Sequence, residues 1–282
     1  MNYDLPSHLV TDVVRRALSE DLGGRGDLTS QATLPVDLQA EYVLRARAEG
    51  RLAGTQAARC AFLEIDPALA LDNWRADGEA LAPGTVVGRV HGPVRGILTA
   101  ERVALNLLGR LSGIATLTHR FVGAIDGTGA RITHTRKTTP GLRALELAAV
   151  AAGGGAMHRF GLGDAILIKD NHVAACGGVA EAVRRAREFA GHMTRIAVEV
   201  DRLDQLDAAL EAGAESVLLD NFSLADLEAA AARASGSGVT LEASGNVTLE
   251  TVRPVAETGV DVISIGALTH SAPNLDLGLD AG

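Results

Sequence analysis

Residues 131–172 concentrate the side chains of this chain that could carry out chemistry. The segment holds six basic residues against three acidic ones, whereas the whole chain holds 26 and 35, so the remainder holds 20 and 32. A local positive region on an acidic protein does not suit nucleic acid or a membrane surface, because those partners select broad basic faces. It suits a small, highly charged anion held in a pocket. The basic residues are Arg131, Arg136, Lys137, Arg143, Arg159 and Lys169, with His134, His158 and His172 among them.

Short apolar runs recur through the same part of the chain, and each is followed by a stretch with helical periodicity. The runs cover residues 131–135, 165–169, 195–200, 216–220, 239–243 and 262–266. Apolar strands that alternate with amphipathic helices predict parallel strands covered by helices. The pattern predicts an α/β fold, an incomplete (β/α) barrel of about six to seven strands. The alternative is an open doubly wound sheet, which usually shows a Gly-rich fingerprint that this sequence lacks.

In a (β/α) barrel the catalytic groups lie at the carboxyl ends of the strands. Arginine and lysine there can bind carboxylate or phosphate, and paired carboxylates can hold Mg²⁺. Backbone N–H groups at 244–246 and 265–267 offer a seat for phosphate. The inventory predicts a phosphorylated, metal-carrying substrate and a second anionic one. The strand-end residues are Arg136, Lys137, Lys169, Asp170, Glu199, Asp201, Asp220, Asn221, Ser244, Gly245 and Gly266.

Each of these residues also has an ordinary structural interpretation. A single carboxylate at a strand end is more often a helix cap or part of a solvated loop than a metal ligand. A lone histidine such as His134 is more often a hydrogen-bonded structural residue. Arg184, Arg185 and Arg187 are expected on a solvated helix face. The functional interpretation depends on recurrence at successive strand ends.

The first hundred residues have a different pattern, with a helical opening at 6–20 and partly alternating strands. They predict an N-terminal α+β domain of residues 1–100, joined by the tail 271–282, and a barrel domain of 101–270 that begins with a long helix. Two cysteines without zinc spacing suit a reducing compartment. No apolar run approaches the ~20 residues that span a bilayer, and no secretory leader is recognisable. We therefore expect a cytoplasmic protein without nucleic-acid or membrane partners.

Several strings together resemble one enzyme family. They include THTRKTTPGLRALE, GGGAMHRFGLGDAILIKDNH, EASGN and EDLGGRGDLTS. The sequence resembles nicotinate-nucleotide pyrophosphorylase (carboxylating), also called quinolinate phosphoribosyltransferase, almost end to end. The resemblance implies a glycosyltransferase that condenses quinolinate with phosphoribosyl pyrophosphate, giving nicotinate mononucleotide, pyrophosphate and CO₂. It also implies an N-terminal open sandwich on an incomplete barrel, and a homodimer with shared active sites.

The resemblance also implies a role for each matching residue. Lys137, Lys169, Glu199 and Asp220 are the expected catalytic residues, and Glu199 and Asp220 are expected to hold Mg²⁺ through water. No prosthetic group is expected. The quinolinate-binding set is Arg136, His158, Arg159 and Lys169, with Arg102 from the other subunit. The set around phosphoribosyl pyrophosphate is Lys137, Glu199, Asp220, Ser244, Gly245, Gly266 and His270.

Two positions depart from the family pattern. Leu147 stands where a lysine is usual and could remove a charge near the pocket rim, and Gly109 stands where a glutamine is common. Three other functions remain open on the residues alone. They are a Schiff-base aldolase with Lys169 as nucleophile, a phosphoribosyltransferase acting on another ring acid, such as a molybdenum-transport-associated homologue, and a phosphate-metabolite sensor on a barrel scaffold.

Overall fold

The computed structural model describes residues 5–282, which form two compact units. The first unit contains the chain up to His119 together with Lys137–Gly154 and Ala267–Gly282. The second unit contains Arg120–Arg136 and Gly155–Gly266. The division at residue 100 drawn from the sequence pattern stays a prediction.

The first unit is an α+β structure with an antiparallel sheet. Its four-stranded sheet has the order β12-β1-β5-β3, and β2 and β4 form a separate pair. The tail returns to this sheet, because β12 pairs with β1 in the register Leu44↔Leu279. The strands are β1 (Gln39–Ala46), β2 (Gly50–Arg51), β3 (Ala70–Asp72), β4 (Ala80–Leu81), β5 (Val86–Pro93) and β12 (Leu277–Ala281). The helices are α1 (Ser7–Leu22), α2 (Leu28–Thr33), α3 (Thr55–Ile65), α4 (Val94–Ala124, which continues into the second unit), α5 (Arg143–Ala152) and α11 (Ala267–His270).

Two glycines of α4 make room for the segment that leads to β12. A Cβ atom at Gly113 would lie 2.0 Å from the carbonyl oxygen of Pro273, and one at Gly109 would lie 3.0 Å from that of Leu275. The backbone N–H of Leu275 donates to the carbonyl of Gly109 at 2.9 Å. Gly109 therefore serves close packing of backbone on backbone. Leu147, the other departure from the family pattern, is 1% exposed on α5, so it lies in the interior and not on a pocket rim.

A fully buried carboxylate, Glu146 on α5, ties three parts of the first unit together. It accepts hydrogen bonds from the N–H of Thr139 at 3.0 Å and from the Thr139 hydroxyl at 2.8 Å. The Arg110 guanidinium of α4 donates to it at 3.0 Å, and also donates to the carbonyl oxygens of Thr269 and Ala272. Because a buried charge is stable only when it is paired and hydrogen-bonded, this network fixes the loop after Lys137 and the segment after α11.

The second unit contains the predicted parallel strands. Its sheet has the order β6-β11-β10-β9-β8-β7, and all neighbours are parallel. Ala156 adds a bridge beside Thr133 of β6, so the segment after α5 forms a rudimentary seventh strand. This arrangement confirms the predicted incomplete barrel. The strands are β6 (Arg131–Thr133), β7 (Ile166–Ile168), β8 (Ile196–Val200), β9 (Ser216–Asp220), β10 (Thr240–Ser244) and β11 (Val262–Ser264).

The helices of the second unit begin and end largely where their boundary residues predict. The Ser223 hydroxyl accepts from the N–H of Asp226 and caps α9, and Gly213 and Gly259 adopt positive φ after α8 and α10. The sequence analysis missed α6, which starts directly after Lys169. The helices are α6 (Asp170–Cys176), α7 (Val179–Phe189), α8 (Leu203–Glu211), α9 (Leu224–Ala234) and α10 (Val252–Glu257). Within residues 5–282, no helix is long and apolar enough to cross a membrane.

The Asp27 carboxylate caps α2 and gives a stability prediction. It accepts from the N–H of Ser30 at 3.0 Å and from the hydroxyls of Ser30 and Thr99, and these bonds, chiefly the one from the Ser30 hydroxyl, lower its pKa. We expect Asp27→Ala to lower the free energy of unfolding by about 1 kcal/mol at pH 7. Because the folded-state pKa is depressed, this contribution is present above the ordinary pKa and is lost as the pH falls through the folded value.

Urea denaturation at neutral and acidic pH measures this effect. Asp27→Asn is the matched control, since asparagine caps a helix but cannot titrate. It should keep most of the stability at pH 7 and show no acid loss from this position. Equal stability of wild type and Asp27→Ala at pH 7 would contradict the assignment of the cap.

Candidate active site

The carboxyl ends of the six parallel strands bring most of the predicted site residues of the second unit to one edge. Following the sheet order from β6, this edge carries Arg136, then Gly266 after β11, and then Ser244 and Gly245 at β10. Asp220 ends β9, Glu199 is the penultimate residue of β8, and Lys169 follows β7. Cations therefore lie at both ends of the row, and carboxylates lie between them.

Two guanidinium groups form the cationic end. Burial, and after it the like charge of Arg136, lowers the pKa of Arg159. The Nε of Arg136 is buried and has no hydrogen-bond partner in the part of the chain that the structure describes. A buried donor without an acceptor costs free energy, and two neighbouring like charges repel. Both costs disappear when an anion with several oxygens binds between these arginines.

Asp164 shapes the loop that carries Arg159. Its carboxylate accepts from the N–H of Phe160 at 2.5 Å and from that of Gly161 at 2.9 Å. Burial alone would raise the pKa of Asp164, but these N–H donors outweigh burial and lower it. The Arg159 Nη1 donates to the carbonyl of Ala165 at 3.3 Å, just before β7. The loop therefore runs from Ala156, which bridges to β6, towards β7, and its backbone is fixed at both ends.

Lys169 and Glu199, which the sequence analysis gave as separate strand-end residues, form an ion pair. The Lys169 Nζ lies 2.7 Å from Oε2 of Glu199. The Glu199 side chain is 14% exposed and the Lys169 side chain is 48% exposed, so the lysine approaches from the solvent side. A Schiff-base nucleophile needs an amine that is free to attack a carbonyl, whereas the Lys169 amine is engaged by the Glu199 carboxylate.

Carboxylates line a cavity beside this pair. The cavity has a volume of about 350 Å³ and is lined by Asp170, Glu199, Asp201 and Asp220 among others. Carboxylate oxygens are the ligands that Mg²⁺ prefers. Among residues 5–282, however, no group of three His, Cys, Asp or Glu side chains is placed to hold a metal ion by itself. The donor set therefore suits a hydrated cation that brings further oxygen ligands from a substrate.

A tight turn contact fixes Asp220 against the end of β10. Asn221 has φ of 56°, its N–H donates to the carbonyl of Ser244 at 2.8 Å, and its side-chain amide donates to Asp220 at 2.8 Å. Gly245 has φ of 115°, and a Cβ there would lie 2.2 Å from Oδ1 of Asn221. Only glycine fits at this position, so the backbone of the predicted phosphate seat approaches the β9 turn closely.

The remaining predicted site residues belong to the first unit. Arg102 is exposed on α4. Lys137 is exposed, and its backbone carbonyl accepts from the Thr269 hydroxyl at 2.9 Å. The Nδ1 of His270 lies 2.6 Å from the hydroxyl of Ser271. The Glu146 network therefore holds the backbone two residues after Lys137 and on both sides of His270.

The sequence analysis missed Glu242, which is buried in the middle of β10 beside His158. The available signal was an acidic residue inside an otherwise apolar strand, VTLEA. His134 is fully buried and hydrogen-bonded, as its structural interpretation predicted. Arg184 and Arg185 pair with Glu181 on one face of α7, where Arg187 is also exposed, which confirms the solvated face.

An incomplete parallel barrel with two neighbouring arginines and a carboxylate cavity at the carboxyl edge is typical of an α/β-barrel enzyme that acts on anionic substrates. Residues 27–112 and 114–280 match the sequence profiles of the quinolinate phosphoribosyl transferase N-terminal and C-terminal domains. The chain belongs to the quinolinate phosphoribosyl transferase family.

Individual relatives agree with this family. The chain is 45% identical to the "probable nicotinate-nucleotide pyrophosphorylase [carboxylating]" of Bacillus subtilis (strain 168), over 93% of this chain and 89% of the relative. It is 46% identical to the nicotinate-nucleotide pyrophosphorylase [carboxylating] of Mycobacterium leprae (strain TN), over 95% and 96%. The solved structure of the nicotinate-nucleotide pyrophosphorylase from Francisella tularensis matches with a TM-score of 0.94 and 38% identity, over 99% of this chain and 98% of that one.

Proposed function

We propose that this protein transfers the phosphoribosyl group of phosphoribosyl pyrophosphate to quinolinate, with decarboxylation. The products are nicotinate mononucleotide, pyrophosphate and CO₂, and the reaction belongs to NAD biosynthesis. Family membership supports the reaction. The observation that carries it is the buried Arg136 Nε, which has no acceptor among residues 5–282 and lies beside a second guanidinium on Arg159. Such a pair suits the two adjacent carboxylates of a pyridine dicarboxylate.

The phosphorylated substrate is assigned to the carboxylate cavity and the turn after β10. Glu199 and Asp220 suit the ribose hydroxyls and a hydrated Mg²⁺, and the backbone of Ser244, Gly245 and Gly266 suits phosphate oxygens. Bound Mg²⁺ would neutralise charge on the pyrophosphate as it leaves. Lys137 and His270 are assigned to the same substrate because the family resemblance implies it.

Catalysis on this assignment is mainly positioning and electrostatic stabilisation. The bond between ribose C1 and pyrophosphate breaks ahead of attack by the pyridine nitrogen, through an oxocarbenium-like state. Lys137 stabilises the charge that develops on the leaving pyrophosphate. The cationic ring nitrogen then stabilises the electron pair that stays on C2 when the 2-carboxylate departs as CO₂, and C2 takes up a proton from solvent. Arg136, Arg159 and Lys169 keep the quinolinate carboxylates in register throughout.

Mixing the protein with quinolinate, phosphoribosyl pyrophosphate and Mg²⁺ tests this function. Nicotinate mononucleotide and CO₂ should appear in equal amounts. Replacing quinolinate with another ring acid separates the proposed enzyme from a relative of different specificity, and complete absence of turnover would favour a metabolite sensor. Borohydride in the presence of carbonyl compounds should leave Lys169 unmodified.

Glu199→Gln and Asp220→Asn should weaken the binding of phosphoribosyl pyrophosphate and Mg²⁺ more than that of quinolinate. Each variant keeps the side-chain shape but removes a negative charge from the cavity, so the Mg²⁺ concentration for half-maximal rate should rise severalfold. Steady-state Mg²⁺ titrations measure this shift. Glu181→Gln, on the exposed face of α7, is the control. An unchanged metal requirement and unchanged activity in both cavity variants would show that Glu199 and Asp220 do not act on Mg²⁺ or phosphoribosyl pyrophosphate.

The family resemblance also leads us to propose a homodimer in which Arg102 completes the quinolinate pocket of the partner. Arg102→Ala and Lys169→Ala proteins should then each keep no more than about a tenth of wild-type activity alone. Mixed under conditions of subunit exchange, they should form about half heterodimers with one intact site each, and so recover about a quarter of wild-type activity. Exchange without recovery would show that Arg102 serves its own subunit. The expected cytoplasmic location stays a prediction.

A further inference from the structure

The interior of the second unit contains a carboxylate without an assigned function. Glu242 lies at the centre of β10, in register with Leu218 of β9 and Val262 of β11, and is 7% exposed. A buried carboxylate between apolar strands is unfavourable unless another group is placed to bind it. The Glu242 Oε2 lies 3.2 Å from the Nε2 of His158.

The hydrogen bonds of His158 fix the orientation of its ring. The Nδ1 accepts from the backbone N–H of Arg159 at 2.7 Å, so we assign the ring hydrogen to Nε2, which donates to Glu242. The backbone N–H of His158 in turn donates to the Nε2 of buried His134 at 3.0 Å. Both ring nitrogens of His158 therefore face protein groups, and the backbone from His158 to Arg159 is held from two sides.

These hydrogen bonds together fix the position of Arg159. Its N–H is oriented by the His158 ring, and its guanidinium reaches the Ala165 carbonyl. Without the contact to Glu242, the His158 ring can rotate about its χ angles or change tautomer, and the N–H of Arg159 loses its acceptor. The direction of the Arg159 side chain therefore depends on a carboxylate that lies on another strand.

We propose that Glu242 is a positioning residue: through His158 it fixes the place of Arg159, and thereby the spacing at which the two guanidinium groups receive the carboxylates of the substrate. The identity of that substrate rests on the proposed function. On this view His158 acts on quinolinate through Arg159, and its ring nitrogens bind the protein.

Two variants distinguish the effect of the hydrogen bond between His158 and Glu242 from the effect of the Glu242 charge. Glu242→Asp keeps the charge but shortens the side chain by one methylene, so it cannot reach the ring at the present backbone distance. Glu242→Gln loses the charge but keeps an oxygen that can accept from Nε2. Calorimetry should show quinolinate binding weakened at least tenfold in Glu242→Asp and no more than about threefold in Glu242→Gln. Phosphoribosyl pyrophosphate binding should stay within about twofold in both.

A matched control is Ser216→Ala, which removes another buried hydrogen bond of the barrel, from the Ser216 hydroxyl to the Thr240 carbonyl at 3.1 Å. It should leave quinolinate affinity unchanged. The opposite order, in which Glu242→Gln binds quinolinate weakly and Glu242→Asp binds it almost as tightly as wild type, would show that only the charge matters. That result would overturn the positioning role. Equal losses for both substrates would also overturn it.

Nitrogen NMR of His158 provides a readout that needs no substrate. Wild type and Glu242→Gln should show the hydrogen on Nε2, whereas Glu242→Asp should shift the ring nitrogens and the backbone N–H of Arg159. Unchanged resonances in Glu242→Asp would overturn the proposal. If wild-type protein fails to bind quinolinate, the proposed function is wrong, and the NMR comparison alone then decides whether Glu242 positions Arg159.

Discussion

Alanine at Lys169 is expected to reduce kcat/KM for quinolinate by one to two orders of magnitude while the fold stays intact. A charge-assisted hydrogen bond is worth about 1.5–3 kcal/mol, which corresponds to roughly 10–150-fold. The loss should exceed that of a single contact, because Glu199 would also lose the cation that lies 2.7 Å away. Arg136→Ala and Arg159→Ala should each cost at least tenfold for the same electrostatic reason. Steady-state kinetics with each substrate varied in turn measures these losses.

Arg184→Ala is the control for the loss of a cation. Arg184 pairs with Glu181 and Glu188 on the exposed face of α7, and exposed pairs contribute little. Its activity should equal that of wild type. Circular dichroism and thermal unfolding should show all four variants folded. Wild-type turnover in all three single variants, at Lys169, Arg136 and Arg159, would show that the site assignment is wrong.

Alanine at Glu146 is expected to destabilise the protein more than any other single change considered. Removing one partner of a buried ion pair costs about 3–5 kcal/mol, because it leaves the other charge uncompensated. Here the Arg110 guanidinium would lose its carboxylate, and both the N–H and the hydroxyl of Thr139 would lose their acceptor. Urea and thermal denaturation measure the loss, and the first unit should unfold at lower denaturant concentration.

The pair Arg15–Glu64 provides a matched comparison. Its two charged atoms lie 2.7 Å apart, compared with 3.0 Å for Arg110 and Glu146, but the Arg15 and Glu64 side chains are 65% and 25% exposed. Glu64→Ala should therefore cost less than about 1 kcal/mol. In the double variant Arg110→Ala/Glu146→Ala the loss should be smaller than the sum of the single losses, because no charge is left buried alone. Equal effects of Glu146→Ala and Glu64→Ala would contradict the buried network.

The sequence predicted the barrel well because its signals are local. The six strands appear where apolar runs predicted them, and strand ends place Asp220 and Ser244 side by side in the register of β9 and β10. Capping residues such as Ser223 have the same local character. Helix α6 was missed because its seven residues, DNHVAAC, are too few for a helical period to show.

The contacts that could not be predicted join residues far apart in the chain. Lys169 and Glu199 each appeared as a strand-end residue, but neither pattern states which neighbour a side chain turns towards. His158 and Glu242 meet across 84 positions. Leu147 appeared to be a rim position because the family pattern has a charge there, yet burial depends on the packing around α5. Such facts depend on three-dimensional packing and have no periodic signature.

The pairing of β12 with β1 has a consequence for the order of events during protein synthesis. Strand β1 ends at Ala46, but its partner ends at Ala281, more than two hundred residues later. At ~5–20 residues per second, the ribosome needs at least about ten seconds to deliver the second strand after the first. Until then one edge of β1 has open hydrogen-bonding groups, which makes it a site for unwanted pairing with other nascent chains. The first unit, although most of it is synthesised before the second, is therefore among the last parts to reach its final state.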